Sequence, residues 1–410
     1  MNHCLIFDIG KTNKKAIVFN ERYEMVHEQS ARLPETTDDD GYPCEDLHSL
    51  KQWILETRDS ISRKMSFQAV HCTAYGASFV HLDEDLHPVT PLYNYLKPYP
   101  EALLDHFMEQ YGPANRIALE TASPVMGHLN SGLQLYWLKY HKPLIFKKIK
   151  HSLHLPQWVA MLLGGKLANE MTSIGCHTML WDFVAGDYHE WARKEGLDAL
   201  FPPVTSGSGR LTGLHDSSAA LIPYFSTVEE PFMLLSTGTW CITLNPFNPE
   251  PLTASELTAD CLCYLTPGGK PVKAARYFGG YEHGQAVNDI AERHSISVEQ
   301  LLGSESGAPW SEYVLFMGNL VEKQATSVRL ALGNSGVKKL YVDGGFSRNK
   351  LYMNGLSEKL PEMEIIRAEA GQATALGAAL AVHAVWNNRP APENLVRFGE
   401  TFRPAGLFKS

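Results

Sequence analysis

Two segments far apart in the chain repeat one plan, and this repetition limits the available folds more than any other feature. The first, Leu5-Ile6-Phe7-Asp8-Ile9-Gly10-Lys11-Thr12-Asn13, is an apolar run entering a polar glycine turn, with a second apolar run over 15–20 and a third short strand read over 25–33. The second, Phe232-Met233-Leu234-Leu235-Ser236-Thr237-Gly238-Thr239, enters a like turn and continues over 240–245. Short apolar runs separated by turn residues predict hairpins. After the first, Leu47, Leu50, Trp53, Ile54 and Ile61 follow helical spacing over 47–64, and 69–75 reads as a buried strand. After the second come a hairpin over 261–275, helices over 282–294 and 311–332, a strand over 339–342, a helix over 349–359, a strand over 364–368 and a helix over 372–386. Self-similarity on this scale predicts an α/β chain of two related domains. The length of 410 residues accommodates them at about 150 residues per domain.

The middle third has another texture. Pro88, Pro91, Pro98 and Pro100 lie close together, and helical runs follow over 101–111, 129–141 and 155–163, which predicts an insertion over 88–205 in the first domain. The Gly/Ser-rich stretch 205–213 breaks the pattern and predicts the crossing between domains. The expected division is 1–213, 214–386 and a tail over 387–410.

Composition excludes several classes. With 44% hydrophobic and 20% charged residues the chain is too apolar for disorder. Lys plus Arg total 36 against 45 Asp plus Glu, a net charge of -9 that argues against nucleic acid or an anionic membrane as partner. No apolar run reaches the roughly 18 residues of a bilayer span, and the amino end meets Asp8 too early for a leader. Seven cysteines, odd in number and set mostly in apolar runs, predict reduced thiols and a cytoplasmic setting.

No Walker Gly-x-x-x-x-Gly-Lys motif and no His-Glu-x-x-His occurs, and Cys261-x-Cys263 has the wrong spacing for zinc. What remains is a pair of glycine turns, one per domain, whose N–H groups and Thr, Asn and Lys side chains can meet a polyphosphate. Asp8, at the end of a strand, can hold Mg2+ through water. Either turn alone is an ordinary hairpin; their matched positions point to function.

Phe7-Asp8-Ile9-Gly10-x-Thr12-Asn13, Ser236-Thr237-Gly238-Thr239-Trp240, Tyr341-Val342-Asp343-Gly344-Gly345-x-Ser347 and Ala370 to Ala379 resemble, in order, the two phosphate motifs, the adenosine motif and the following helix of the sugar-kinase/actin/heat-shock ATPase superfamily. Within it the chain resembles an FGGY-type carbohydrate kinase, nearest the rhamnulokinase and fuculokinase branch. The resemblance implies two ribonuclease-H-like (actin-like) domains with a cleft between them, ATP and Mg2+ as cofactors, and a small-molecule sugar as partner. A homodimer is left open.

The resemblance also implies roles. His215-Asp216-Ser217-Ser218 matches the segment that carries the general base, so Asp216 is the expected base, with His215 and Ser217 toward the sugar. Without the resemblance, Asp216 reads as a helix N-cap. Gly10, Lys11, Thr12, Asn13, Lys14, Gly238 and Thr239 would bind phosphate, and Gly344, Gly345, Ser347 and Asn349 the nucleoside, where a side chain on either glycine would meet it. Gly76, Ala77 and Ser78 match the loop that faces the ketose. Relatives have a Trp-Asn-Asp-x-Arg-like segment where this chain has Leu92-Tyr93-Asn94-Tyr95-Leu96-Lys97; the acid and the Arg are missing, leaving Asn94, Tyr95 and Lys97 to bond and stack a sugar. Asn130 and Ser131, ahead of a helix, read as a sugar contact or, more readily, as its cap. Phe278 and Tyr281 read as adenine-stacking or, more readily, core aromatics. The expected activity is phosphorylation of a terminal ketose hydroxyl such as that of fuculose, rhamnulose or a pentulose. The alternatives are an actin-like nucleotide-dependent binding protein and a catalytically weak sugar sensor.

Overall fold

A computed structural model describes residues 2–206 and 209–404. In chain order the elements used below are β1 (His3–Ile9), β2 (Lys14–Asn20), β3 (Met25–Ala31), α1 (Leu47–Ser62), β4 (Ala69–Ala74), α2 (Glu101–Tyr111), α3 (Ser131–His141), α4 (Leu155–Leu162), α5 (Met171–Ile174), β5 (Leu214–His215) and α6 (Asp216–Thr227). They continue with β6 (Phe232–Thr237), β7 (Cys241–Asn245), β8 (Cys261–Leu265), β9 (Pro271–Tyr277), α7 (Gly279–Arg293), α8 (Ala308–Leu332), β10 (Lys339–Gly344), α9 (Lys350–Lys359), β11 (Glu364–Glu369), α10 (Ala373–Ala381) and β12 (Arg397–Phe402).

The chain divides into two compact units: Met1–Thr227 with Cys263–Pro271 and Gly371–Leu395, and Val228–Leu262 with Val272–Ala370 and Val396–Ser410. The first unit holds a sheet in the order β5-β4-β1-β2-β3. There β1/β2 and β2/β3 are antiparallel, and β1/β4 and β4/β5 are parallel. The second unit's sheet runs β8-β9-β7-β6-β10-β11-β12. Its β6/β7 and β7/β9 pairs are antiparallel and its β6/β10 and β10/β11 pairs parallel. Each unit therefore contains the same strand order, 3-2-1-4-5, with the same directions, and the repetition read from the two hairpins is a repetition of fold.

The strands form because alternate residues are buried on opposite faces. Leu5, Phe7 and Ile9 of β1 and Ala16 and Val18 of β2 pack with Leu50, Ile54 and Ile61 of α1 and with Trp158 and Val159 of α4. Cys4, Ile6, Ile17 and Phe19 face the other way, onto Ala375, Leu376, Ala378 and Ala379 of α10 and Trp386. Asp46 starts α1 by accepting from the His48 N–H, as an N-cap should. The insertion builds a core of its own around Phe107 of α2, Leu135 and Trp137 of α3, and Trp191.

Three boundaries differ from expectation. The chain first leaves the first unit after Thr227, not at 213, because α6 packs on α10 beneath the first sheet. Of the Gly/Ser-rich stretch, residues 207 and 208 lie outside the described residues; the rest belongs to the first unit, with Gly209 N–H donating to the Ala381 carbonyl. Gly213 is left-handed (φ 77°), and a Cβ there would lie 2.2 Å from the Pro156 carbonyl oxygen, so this glycine serves a close packing rather than a joint. Finally, the second unit does not run on to 386, because Gly371–Leu395 belongs to the first unit, and the expected tail carries β12, which pairs with β11. The seven cysteines are free and buried. Among the described residues no helix is long and apolar enough to cross a membrane.

Candidate active site

In each unit the glycine turn and the end of the adjacent parallel strand lie at one edge of the sheet. In the first, Ile9 of β1, Ala74 of β4 and His215 of β5 form one row, so the residues that follow, Gly10, Tyr75 and Asp216, emerge together at the carboxyl ends. In the second, Thr237 of β6 is level with Gly344 of β10. Crevices outside the carboxyl ends of parallel strands are where open α/β sheets bind ligands.

At the first edge the turn closes by Gly10 N–H donating to the Asn13 carbonyl at 3.0 Å. Thr12 and Asn13 are exposed, and Asn13 Oδ1 accepts from Arg32 Nε at 2.9 Å. Lys11 is partly exposed; its ammonium lies 5.7 Å from the Tyr75 ring centre and 5.9 Å from that of Tyr95, and 3.4 Å from Glu35 Oε1. Lys14 does not join these donors. Its ammonium sits 2.5 Å from Glu45 Oε1, both side chains being buried, and donates to the Lys11 carbonyl at 3.0 Å. Tyr75 OH donates to Glu45 Oε2 at 2.6 Å. The phosphate role expected of Lys14 is thus replaced by a buried ion pair under the turn.

Asp8, partly exposed, accepts from Thr374 Oγ1 at 2.7 Å. Desolvation, helped by the charge of Asp216 and opposed by the Thr374 bond and Lys15, pushes its carboxyl up to about 6. Asp216 is the first residue of α6. Its Oδ1 accepts from the Ser217 N–H at 2.6 Å and lies 3.3 Å from both Ser217 Oγ and His215 Nε2. An N-cap accepts from the second or third N–H of its helix; this bond goes to the next residue, so the cap reading does not describe Asp216. His215 is buried, and burial holds its ring below the usual imidazole range despite Asp216.

The sugar-side expectations divide. Gly76 and the left-handed Ala77 (φ 57°) stand at the same edge, and Ser78 is buried. Asn94 is not available: its side-chain amide donates to the Pro43 carbonyl and its oxygen accepts from the Leu96 N–H, both at 3.0 Å. Lys97 is bound by Asp38 at 2.6 Å and Asp40 at 2.5 Å. Tyr95 remains at the edge, its phenol pushed up by burial and by the charge of Asp216. Asn130 is neither exposed nor a side-chain cap; it accepts from the Met126 N–H at 2.6 Å and donates to the Pro124 and His177 carbonyls at 3.0 Å.

At the second edge Gly238 and Thr239 are exposed, with Gly238 N–H on the Trp240 carbonyl at 3.0 Å. Thr237 Oγ1 donates to the Asp343 carbonyl and accepts from the Phe346 N–H, tying the turn to the strand end. Ser347 donates to the Gly344 carbonyl, and Asn349 caps α9 through the Tyr352 N–H while donating to Tyr313 OH. Gly344 is left-handed (φ 91°), and a Cβ would lie 2.0 Å from the Thr237 carbonyl oxygen, whereas Gly345 has nothing within 4 Å. Strand contact therefore requires the first glycine; open space surrounds the second. Phe278 and Tyr281 are not core: Tyr281 is 48% and Trp240 42% exposed, and the rings form a ladder with centres 4.3 Å and 4.5 Å apart.

Two residues of the first edge had no role in the sequence reading. Thr374 lies in the small-residue run to which no chemistry was assigned, and a lone hydroxyl among alanines was its only signal. Cys176, whose Sγ is 3.0 Å from His215 Nε2, had no local signal.

Residues 3–222 match the N-terminal domain of the FGGY family of carbohydrate kinases, and residues 229–305 the FGGY carbohydrate kinase C-terminal domain. The chain belongs to the FGGY family of carbohydrate kinases. A rhamnulokinase of Halalkalibacterium halodurans is 30% identical over 279 residues, 59% of this chain and 56% of that protein. An L-fuculokinase of Haemophilus influenzae is 20% identical over 276 residues, 59% of this chain and 57% of that protein. The match thus spans little more than half the length of either relative. Among solved structures, a carbohydrate kinase from Novosphingobium aromaticivorans shares the fold with a TM-score of 0.79 at 23% identity, over 98% of this chain and 94% of that one. A ligand-bound xylulose kinase from Lactobacillus acidophilus does so with a TM-score of 0.81 at 13% identity, again over 98% and 94%. The mixed α/β, two-domain carbohydrate-kinase fold expected from the sequence is this FGGY fold.

Proposed function

We propose that this FGGY protein is an ATP-dependent kinase of the cytoplasm that phosphorylates the terminal hydroxyl of a ketose or deoxyketose, of the kind named in its rhamnulokinase and fuculokinase relatives. The observation that carries this reading is Asp216: a partly exposed carboxylate on the first residue of α6, emerging with Gly10 and Tyr75 where β1, β4 and β5 end. An alcohol is a weak nucleophile, and phosphoryl transfer asks little of the protein beyond alignment, late removal of one proton and stabilisation of charge. Asp216 accepts that proton. The Ser217 N–H, donating to Asp216 Oδ1 at 2.6 Å, fixes the direction of the carboxylate. Lys11 and the N–H groups of the 10–13 turn supply donors to the transferred group. The Gly238–Thr239 turn and Gly344–Gly345, with Ser347 and Asn349 behind them, serve the nucleotide.

Asp8 suits Mg2+. Its carboxyl is costly to ionise where it stands, beside Asp216 and with one hydrogen bond, and a divalent cation held there through water relieves that cost. Mg2+ when bound neutralises phosphate charge. Asp8 would hold the ion, with Thr374 Oγ1 donating to the carboxylate and fixing its direction.

The engagement of Asn94 and Lys97 by the protein itself favours one second reading, a sugar sensor that binds without efficient turnover. Both are tested by ADP release with ATP and a panel including L-rhamnulose, L-fuculose and L-xylulose. The expectation is sugar-stimulated turnover that Asp216→Asn lowers roughly 10²- to 10⁴-fold while ATP still binds. Sugar binding without ADP release supports the sensor; an unimpaired Asp216→Asn ends the proposed mechanism.

A further inference from the structure

We infer that Cys176 is a positioning residue for Asp216, acting through His215; this role rests on the reading of Asp216 as the base. Cys176 and His215 are both buried, and Cys176 Sγ lies 3.0 Å from His215 Nε2, the same nitrogen that lies 3.3 Å from Asp216 Oδ1. The other ring nitrogen, Nδ1, is buried and has no hydrogen-bond partner among the described residues. A buried orphan acceptor is tolerated better than a buried orphan donor, and a bare lone pair would face the carboxylate unfavourably. The proton therefore sits on Nε2. Burial keeps the ring neutral, so it has one N–H, aimed between the sulfur and the carboxylate, and the sulfur fixes its direction.

An independent observation concerns Gly76. A Cβ built there would lie 2.8 Å from His215 Nε2 and 3.0 Å from Cys176 Sγ. The exit of β4 is bare where the imidazole and thiol meet, so glycine at this position makes room for that contact whatever else it does for a ligand. The segment that carries Cys176 is pinned on both sides. The His177 carbonyl accepts from Asn130 at 3.0 Å, the Thr178 carbonyl from the Gly132 N–H at 2.9 Å, and Thr172 Oγ1 from the His215 N–H at 2.9 Å. His177 (φ 37°) and Met179 (φ 61°) are held left-handed, a strain that persists only where surroundings over-determine the backbone. The other groups facing the pair are Tyr264, edge-on to the His215 ring at 5.4 Å, and His154, which acts on it electrostatically; Asp8 and Tyr95 face Asp216. Among them, Cys176 is the one whose hydrogen bond ends on the nitrogen beside the base.

The test is a double-mutant cycle on the whole protein, with ATP and the best acceptor among L-rhamnulose, L-fuculose and L-xylulose. Cys176→Ala is expected to lower kcat about tenfold with KM for ATP within about twofold, as a misdirected positioning group does. Cys176→Ser, which keeps an atom able to accept from Nε2–H, is expected to restore kcat to within about threefold of wild type. In the His215→Asn background Cys176→Ala is expected to cost nothing further, because its effect passes through the imidazole. Should Cys176→Ala fail to fold by circular dichroism, Gly76→Ala replaces it: it drives a methyl onto the same two atoms, and His215→Asn is expected to relieve that loss. Additive losses, or an unchanged kcat in Cys176→Ala while Asp216→Asn is inactive, overturn the role of Cys176 alone. An active Asp216→Asn overturns the base assignment and this role with it.

Discussion

Gly377 of α10 lies so close to Ala219 of α6 that a Cβ in place of its hydrogen would stand 1.9 Å from the Ala219 carbonyl oxygen. Ala219 is one turn into the helix whose first residue is Asp216. The spacing of these two helices therefore sets the height of Asp216 above the strand ends. Gly377→Ala is expected to push α6 outward, lowering both the thermal midpoint and kcat, by about 1–3 kcal/mol of stability for an overpacked contact. Gly371→Ala in the same small-residue run, with nothing within 4 Å of a Cβ, is expected to leave both nearly unchanged. Thermal melts and steady-state kinetics on the pair check this.

Asp8 makes the fold less stable as pH rises. Its carboxyl is pushed from 3.8 to about 6, chiefly by burial, so between about pH 4 and pH 6 the folded chain keeps a proton that the unfolded chain gives up. Stability falls through that window and the cost is constant above it. Asp8→Asn, which can still accept from Thr374, is expected to raise the melting temperature above pH 6 by a few degrees, on the order of 1 kcal/mol once partial exposure is allowed for. The gain should vanish near pH 4, and activity should fall. Melts with a chelator present, repeated with Mg2+, separate the two effects: Mg2+ is expected to stabilise wild type more than the variant.

Lys14 and Glu45 give the clearest contrast between a phosphate ligand and a structural pair. Their charges meet at 2.5 Å with side chains 3% and 5% exposed. Removing one partner leaves the other buried and uncompensated, so Lys14→Met is expected to cost about 3–5 kcal/mol. Lys14→Met with Glu45→Leu is expected to recover much of that loss, although Tyr75 OH then loses its acceptor. A phosphate ligand would instead show a raised KM for ATP with an unchanged melting temperature. Urea unfolding alongside ATP kinetics decides between them.

Much of this was legible because local pattern and tertiary role coincide. The alternation in β1 and β2, buried on both faces, marks central strands, and the turn after each first strand is polar because it emerges at the sheet edge. What failed was whatever depends on partners distant in sequence. Lys14 looks like Lys11 until β2 carries it inward to Glu45. Asn94 looks like a sugar ligand until its turn consumes both ends of its amide. The 205–213 stretch looks like a linker because glycine is read as freedom, whereas Gly213 is there to let Pro156 approach. Cys176 and His215 meet only because the insertion returns to the edge of the first sheet, and no spacing encodes that.

Gly344 and Gly345 are adjacent in sequence yet differ in what requires them, and this separates a fold constraint from a ligand constraint. At Gly344 the backbone is left-handed (φ 91°) and a Cβ would be 2.0 Å from the Thr237 carbonyl oxygen. Any side chain there must break the β6–β10 register next to the Gly238 turn. Gly344→Ala is expected to destabilise the second unit by about 1–3 kcal/mol or more and to lower ATP affinity only as a consequence. At Gly345 the backbone demands nothing and the space is open, so an alanine is tolerated by the fold, and any effect on nucleotide reports the nucleotide. Gly345→Ala is accordingly expected to melt with wild type while weakening ATP binding severalfold, measured by calorimetric titration. If both variants keep the wild-type melting temperature, the strand contact at Gly344 is not what makes it glycine; if Gly345→Ala binds ATP as wild type does, the nucleotide does not approach this backbone.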